Sequence, residues 1–207
     1  MAGPPLERIA RALHPLDAEP VGPEWNLDEL DGLLDAAPPV DAAVLLGLVP
    51  RADALRVLLT RRNDGLRQHG GQVSLPGGRV DPGDSDAVAA ALREAREEIG
   101  LPARQAQPLG FLDPVRTITG YRVLPVVARL APDFVAAPDP AEVAAVFEVP
   151  LPFLLGHDHL RELQIEFGGR PRRVLEYLPY PGAPGQRIWG VTASILDNLR
   201  RRLEAGP

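Results

Sequence analysis

Between Leu75 and Leu101 the chain runs Leu75-Pro76-Gly77-Gly78, then a segment carrying Asp81, Asp84 and Asp86. It continues as Leu92-Arg93-Glu94-Ala95-Arg96-Glu97-Glu98-Ile99-Gly100-Leu101. This order describes a tight loop feeding a helix, with Asp84, Ser85 or Asp86 placed to cap its start and Gly100 placed to end it. At about 100° per residue, Glu94, Glu97 and Glu98 project within a sector of roughly 100°. The apolar positions Val88, Ala91, Leu92, Ala95 and Ile99 form a stripe centred on the order of 120° away. Three carboxylates so crowded repel one another unless a cation sits against them. Glu94 and Glu98, at i and i+4, suit one hard divalent ion such as Mg²⁺ or Mn²⁺, with Glu97 beside them. Arg93 can pair with Glu97 at i+4 and hold it. Alone, such a helix would be an ordinary solvated face. The Gly-Gly loop before it and the glycine after it favour a metal site acting on something anionic.

Around this unit the pattern is that of an α/β chain. Ala42–Val49 and Arg56–Thr60 are apolar runs joined by Pro50-Arg51-Ala52-Asp53-Ala54, which predicts a hairpin or two adjacent strands. A short strand is expected over Gln72–Leu75, a loop over Gly77–Asp84, and further strands at Leu109–Leu112, Val123–Leu130 and Ala144–Val149. Trp189–Leu203 opens as a strand or turn and continues as a helix. Residues 1–41 read as one or two short helices outside the core, and 156–185 as an insert or loop. The expectation is one domain over 1–207, a mixed sheet between helices.

The formal charge of −6 argues against nucleic acid, whose phosphates are normally met by a basic surface. The chain has no cysteine, so disulfides, thiolate metal sites and cysteine nucleophiles are excluded. The N-terminus lacks the apolar core of a secretory signal, and no segment approaches the roughly 18 to 20 apolar residues of a membrane span. Cytoplasmic residence is the expectation, and a homodimer is compatible with these features.

Gly78, Asp84, Arg93, Glu94, Glu97, Glu98 and Gly100 resemble the Nudix box, the loop-helix signature of hydrolases that cleave nucleoside diphosphates linked to another moiety. Two departures stand out: the first acid is Asp84 rather than Glu, and eight residues rather than seven separate it from Arg93. The stretch from Leu58 through Leu66-Arg67-Gln68-His69-Gly70-Gly71-Gln72 to Gly78 is similar to the upstream motif of the coenzyme A diphosphatase branch. The longer Asp81–Asp86 loop is similar to that branch too. The likeness runs from about Leu58 to Leu199.

The resemblance implies an α/β/α sandwich and metal-dependent hydrolysis of a pyrophosphate bond. For coenzyme A the products are 3′,5′-ADP and 4′-phosphopantetheine. It implies Glu94, Glu97 and Glu98 as metal ligands, Glu97 or Glu98 as the group that takes a proton from water, and Glu142 as a further candidate. Arg93 belongs to the same catalytic set. Substrate phosphates and amides would meet Arg61, Arg67, His69, Gln72, Gly77, Gly78 and Arg79. Tyr121 and Trp189 read as packing residues. The alternatives are hydrolysis of another dinucleotide, such as ADP-ribose or NADH, and a non-catalytic module that keeps the fold.

Overall fold

The computed structural model describes residues 3–30, 34, 37–65, 69–167 and 169–206. The chain order is α1 (Leu6–Ala12), β1 (Val40–Pro50), β2 (Leu55–Arg62), β3 (Val73–Ser74), β4 (Gly77–Arg79), α2 (Ala87–Ile99), β5 (Ala106–Phe111), β6 (Val115–Arg116), β7 (Tyr121–Leu130), β8 (Val143–Pro150), α3 (Leu151–Leu155), β9 (Leu160–Phe167), β10 (Arg170–Tyr177) and α4 (Gly190–Ala205).

Strand β1 organises the sheet because both its faces are apolar. Ala43, Leu45 and Val49 enter one buried cluster with Ala91, Ala95 and Ile99 of α2. Ala42, Leu46 and Leu48 enter the other with Ile9 of α1, Leu154 of α3 and Leu196 and Leu199 of α4. Strand β7 divides the same way: Val123 and Val127 face the α4 side, and Leu124, Val126, Ala128 and Leu130 face α2. A period of two with both faces covered produces the near-continuous apolar runs seen in the sequence. The result is a mixed sheet between helices, an α/β/α sandwich. β1 and β7 are parallel, and the remaining pairs are antiparallel, along β3-β2-β1-β7-β5 with β8 on β2 and β6 on β7.

The hairpin expected across Pro50–Ala54 is present, with Pro50 opposite Leu55. The expected loop over Gly77–Asp84 is in part a strand: Gly77, Gly78 and Arg79 pair with Val44, Ala43 and Ala42 of β1. Glycine makes this possible, since a Cβ at Gly77 would lie 2.3 Å from the Ala43 carbonyl oxygen. The segment expected as insert or loop over 156–185 is built around an antiparallel hairpin, β9 and β10, with Tyr177 opposite Leu160. Glu176 of β10 is buried and accepts hydrogen bonds from Arg161 (2.9 Å) and Arg187, and it bridges to Trp189. The N-terminal extension packs on α4: Arg8 donates to the Leu203 carbonyl (3.0 Å) and Arg202 donates to the Ala12 carbonyl (2.6 Å). Among the described residues no helix is long and apolar enough to cross a membrane.

Helix α2 starts where the Asp86 side chain accepts from the Ala89 N–H at 2.8 Å. The Glu19 carboxylate accepts from the Ala87 N–H at 3.1 Å. It ends at Gly100 in the left-handed region, φ 67°. Asp86→Ala should lower folding stability by about 1 kcal/mol, read as a lower urea midpoint. An unchanged midpoint would mean that this cap contributes nothing beyond Glu19.

Candidate active site

Helix α2 approaches the sheet closely because its inner face is built from Ala87, Ala90, Ala91 and Ala95, all buried. Glu98 lies on that same inner face, only 3% exposed. The sequence places it on the polar flank; the small side chains draw the helix in until this carboxylate is covered as well. Its Oε1 accepts from Arg62 at 3.3 Å and its Oε2 accepts from the Gly77 N–H at 3.2 Å. Burial pushes the Glu98 carboxyl up to about 7, with the Arg62 charge and the Gly77 hydrogen bond opposing and the charges of Glu94 and Glu142 adding to the rise.

Glu94 is half-buried, and its carboxyl is also raised, first by burial and then by the charges of Glu97 and Glu142 against the pull of Arg93. It rests directly on the backbone of β4: a Cβ at Gly78 would lie 2.4 Å from Glu94 Oε1. The second glycine of the loop is therefore needed for the room it leaves the carboxylate. Glu97 is exposed and accepts from Arg93 at 3.2 Å, the i, i+4 pair read from the sequence.

Arg93 is a hub. It donates to Asp84 through Nε and Nη2, both at 3.0 Å, to Glu94 at 2.9 Å and to the Arg79 carbonyl at 2.9 Å. Asp84, whose part was open in the sequence because it departs from the box, anchors this guanidinium with a two-pronged contact and also accepts from the Asp81 N–H. The Arg93 hydrogen bonds hold the Asp84 carboxyl below its ordinary range. Arg93 thus positions the helix acids and ties them to the loop that precedes them. Glu142, in the turn before β8, is half-buried and close enough for its charge to act on Glu94 and Glu98. Among the described residues its carboxylate has no hydrogen-bonding or ion-pairing partner.

Among the described residues no three acids or imidazoles stand ready in ligand positions, because Glu94 and Glu97 turn to Arg93 and Glu98 to Arg62. The donor set nevertheless fits a hard divalent cation: all-oxygen, mutually repulsive, and seated where Gly78 leaves a cradle that a side chain would fill.

A cavity of about 490 Å³ opens beside Gly77 and Arg62. His69, Gln72 and Gly77 of the expected substrate residues line it. Gly78 and Arg79 do not, and neither does Arg61, which pairs with Asp64 at 2.9 Å. Arg67 lies outside the described residues. His69 holds φ 58°, a left-handed conformation, with its Nδ1 2.9 Å from Gln72 Oε1. The remaining walls were not foreseen: Arg116 of β6, Ile165, Arg172, Arg173 and Val174 of the hairpin, and Trp189–Thr192 with Ser194 and Ile195 at the start of α4. Trp189 is half-buried in this wall with the Arg187 guanidinium 4.5 Å from its ring, rather than in the core.

This loop-helix unit, on this sheet, agrees with a match of residues 39–167 to the NUDIX domain family. The chain belongs to the Nudix hydrolase family. A Photorhabdus laumondii protein named "Uncharacterized Nudix hydrolase NudL" is 40% identical over 163 residues, covering 79% of this chain and 84% of its own. Its Escherichia coli K12 namesake is 41% identical over 168 residues, covering 80% and 84%. A solved structure titled MutT protein from Methanosarcina mazei Go1 shares the fold, with a TM-score of 0.52 at 20% identity, over 83% of this chain and 98% of that one. Nudix hydrolases generally use divalent metal ions, which accords with the donor set described above.

Two outcomes follow from this geometry. Gly78→Ala should displace Glu94 and cut turnover by about 10²-fold, as misplacement on the order of 1 Å does elsewhere; near-normal kcat/KM would show the cradle is not needed. In metal-free protein, a Glu98 carboxyl raised from 4.5 to about 7 gives stability that is full below pH 4.5 and lost as pH rises through about 7. The loss is on the order of 3 kcal/mol. Glu98→Gln should therefore gain on wild type as pH rises from 5 to 8 in metal-free denaturation curves, and parallel curves would refute the buried carboxyl.

Proposed function

We propose that this Nudix hydrolase cleaves the pyrophosphate bond of coenzyme A, or a derivative of it, with Mg²⁺ or Mn²⁺, giving 3′,5′-ADP and 4′-phosphopantetheine. The observation that carries the reading is the position of Glu98. Its carboxylate, with Glu94 beside it, abuts the Gly77 N–H and Arg62 at the edge of a cavity lined by four arginines. That cavity also takes in His69 and Gln72, from the stretch that is similar to the coenzyme A diphosphatase motif.

Glu94, Glu97 and Glu98 would hold the cation, which when bound neutralises the phosphates and readies a water for attack. The chain's own groups do the rest. Arg62 and the Gly77 N–H hold Glu98 while lining the cavity, and Arg93 keeps Glu94 and Glu97 aligned from behind. The water's proton passes to a glutamate. Glu142 is the best placed, being neither engaged by an arginine, as Glu97 is, nor covered by the helix, as Glu98 is. The protein would work in the cytoplasm on a small anionic substrate, as a single domain over 1–207, and a homodimer is compatible with this.

A turnover panel of coenzyme A, ADP-ribose and NADH with Mg²⁺ tests the substrate, with coenzyme A expected to give the highest kcat/KM. If it ranks last, the substrate assignment is wrong. No hydrolysis of any of the three, together with no change in melting temperature on adding Mg²⁺ or Mn²⁺, would mean a binding module instead. Glu142→Gln should lower kcat by about 10²-fold or more while leaving the Mn²⁺ stabilisation of the fold in place. An unchanged kcat would move the proton transfer to Glu97 or Glu98.

A further inference from the structure

Strand β6 is two residues long, and β7 covers one of its edges, with Arg116 opposite Arg122. The N-terminal extension takes the other edge. The Trp25 N–H donates to the Pro114 carbonyl at 2.7 Å. One residue on, the Asn26 side chain imitates a peptide group toward Arg116. Its Oδ1 accepts from the Arg116 N–H at 2.8 Å, and its Nδ2 donates to the Arg116 carbonyl at 2.9 Å. Asn26 is 4% exposed, so both bonds are shielded from water, and losing either would leave a desolvated polar group unpaired. The asparagine therefore fixes the backbone of Arg116, and with it the direction in which that side chain leaves the strand.

What Asn26 sets in place is a buried cation without a full partner. Arg116 is 7% exposed and lines the cavity beside Gly77, as Asn26 does. Its Nε is buried with no hydrogen-bond partner among the described residues. Glu24 stands 3.7 Å from its Nη1, close enough to orient the guanidinium but too far for a hydrogen bond. The other arginines of the cavity are engaged differently. Arg62 is held by Glu98, Arg172 has an interaction of its own, and Arg173 lies mostly in solvent, 3.8 Å from Glu162. A guanidinium withdrawn from water is costly unless it receives both opposite charge and hydrogen bonds. Among the described residues no aspartate or glutamate lines the cavity to supply them, whereas a phosphate would bring both.

We propose that Arg116 contacts a phosphate group of the substrate and that Asn26 is the residue that positions it, with Glu24 as a weaker guide. The match to the Nudix family spans residues 39–167, so Asn26 and Glu24 lie outside it. The extension is then part of the binding site, reaching the cavity from beyond the family's shared body. The contact rests on the proposed reaction only in taking the ligand to be a nucleotide phosphate; it is a matter of binding and needs neither cation nor turnover.

Calorimetry on metal-free protein separates charge from shape. With a chelator present, wild type should bind 3′,5′-ADP at least tenfold more tightly than adenosine, which has the same base and sugar without phosphate. Arg116→Ala should cut that preference by about tenfold, and Arg116→Lys should keep part of it. Asn26→Ala should cut it by about fivefold. Asn26→Asp, which keeps the acceptor and loses the donor, should fall between, and it carries the same comparison if the alanine variant does not fold. In the double variant Asn26→Ala, Arg116→Ala, the asparagine change should add nothing to the loss. Arg8→Ala, which removes a bond of the extension to Leu203, should leave the preference unchanged. In turnover of coenzyme A, Arg116→Ala should raise KM by about tenfold with kcat little changed.

Equal affinities for the two ligands in wild type overturn the contact, as does a full preference or an unchanged KM in Arg116→Ala. Equal losses for 3′,5′-ADP and adenosine in Asn26→Ala, additive losses in the double variant, or a loss of preference in Arg8→Ala overturn the positioning role. Should wild type hydrolyse no coenzyme A yet show the preference that depends on Arg116, the proposed reaction falls and the contact stands. Hydrolysis without that preference means the opposite: the reaction stands and the contact falls.

Discussion

A buried carboxylate lodged against a strand backbone governs this molecule. Glu98 has lost most of its water, and what it receives in return is one backbone N–H and one arginine at hydrogen-bond limit. Two further acids, Glu94 and Glu142, press on it through space. A fold optimised for stability alone would place an apolar residue there, since a half-compensated buried charge is costly. The surrounding sequence instead keeps the acid in place. Alanines at 87, 90, 91 and 95 let α2 come close, glycines at 77 and 78 let β4 and the carboxylates share one space, and Asp84 with Arg93 pins the helix to the loop. Each device suits a cluster that, on the proposed reading, a cation would complete.

The parts of this arrangement legible in the sequence are those where local chemistry decides. A cap among Asp84, Ser85 and Asp86, the Gly100 stop, the Arg93–Glu97 pair and the apolar runs of β1 and β7 follow from spacing alone, and the structure selects Asp86 as the cap. Burial of Glu98 does not, because a helical wheel counts apolar side chains and cannot register that a wall of alanines widens the covered sector. The strand nature of Gly77–Arg79 is hidden for a related reason: Gly-Gly reads as a turn until a neighbouring strand is present to show why no Cβ fits.

The β9–β10 hairpin is harder still to read from sequence. Leu160-Arg-Glu-Leu-Gln-Ile-Glu-Phe and Arg-Pro-Arg-Arg-Val-Leu-Glu-Tyr alternate weakly and are rich in charge, and Pro171 argues against a strand by local rules. A two-stranded sheet has only edges, so the proline is tolerated opposite Glu166. The pairing becomes worthwhile through long-range contacts: Leu175 and Tyr177 enter the α4-side core, and Glu176 is clamped by Arg161 and Arg187. None of these partners is near in sequence to more than one strand of the hairpin. Arg116 is equally silent, since a single arginine after a valine carries no signal until Asn26 fixes its backbone from 90 residues away.

These two groups of residues have different mechanical supports, and that bears on how chemistry and selection are divided. The acids hang from α2 and β4, which are bound to the centre of the sheet through β1. The cavity's outer wall hangs from the hairpin, attached through Glu176 to the segment that leads into α4, with Arg187 stacked on Trp189. Substitutions in the wall should therefore leave the carboxylates in place, because among the described residues no shared side chain couples the Glu176 clamp to the Arg93 hub. Arg62 and Gly77 are the exception, touching Glu98 on one side and lining the cavity on the other. A ligand phosphate that drew Arg62 away would leave Glu98 with only the Gly77 N–H, raising the acid's demand for a cation at the moment the substrate arrives. On the proposed reading, binding of anion and of cation would be coupled through one guanidinium, each making the other more favourable.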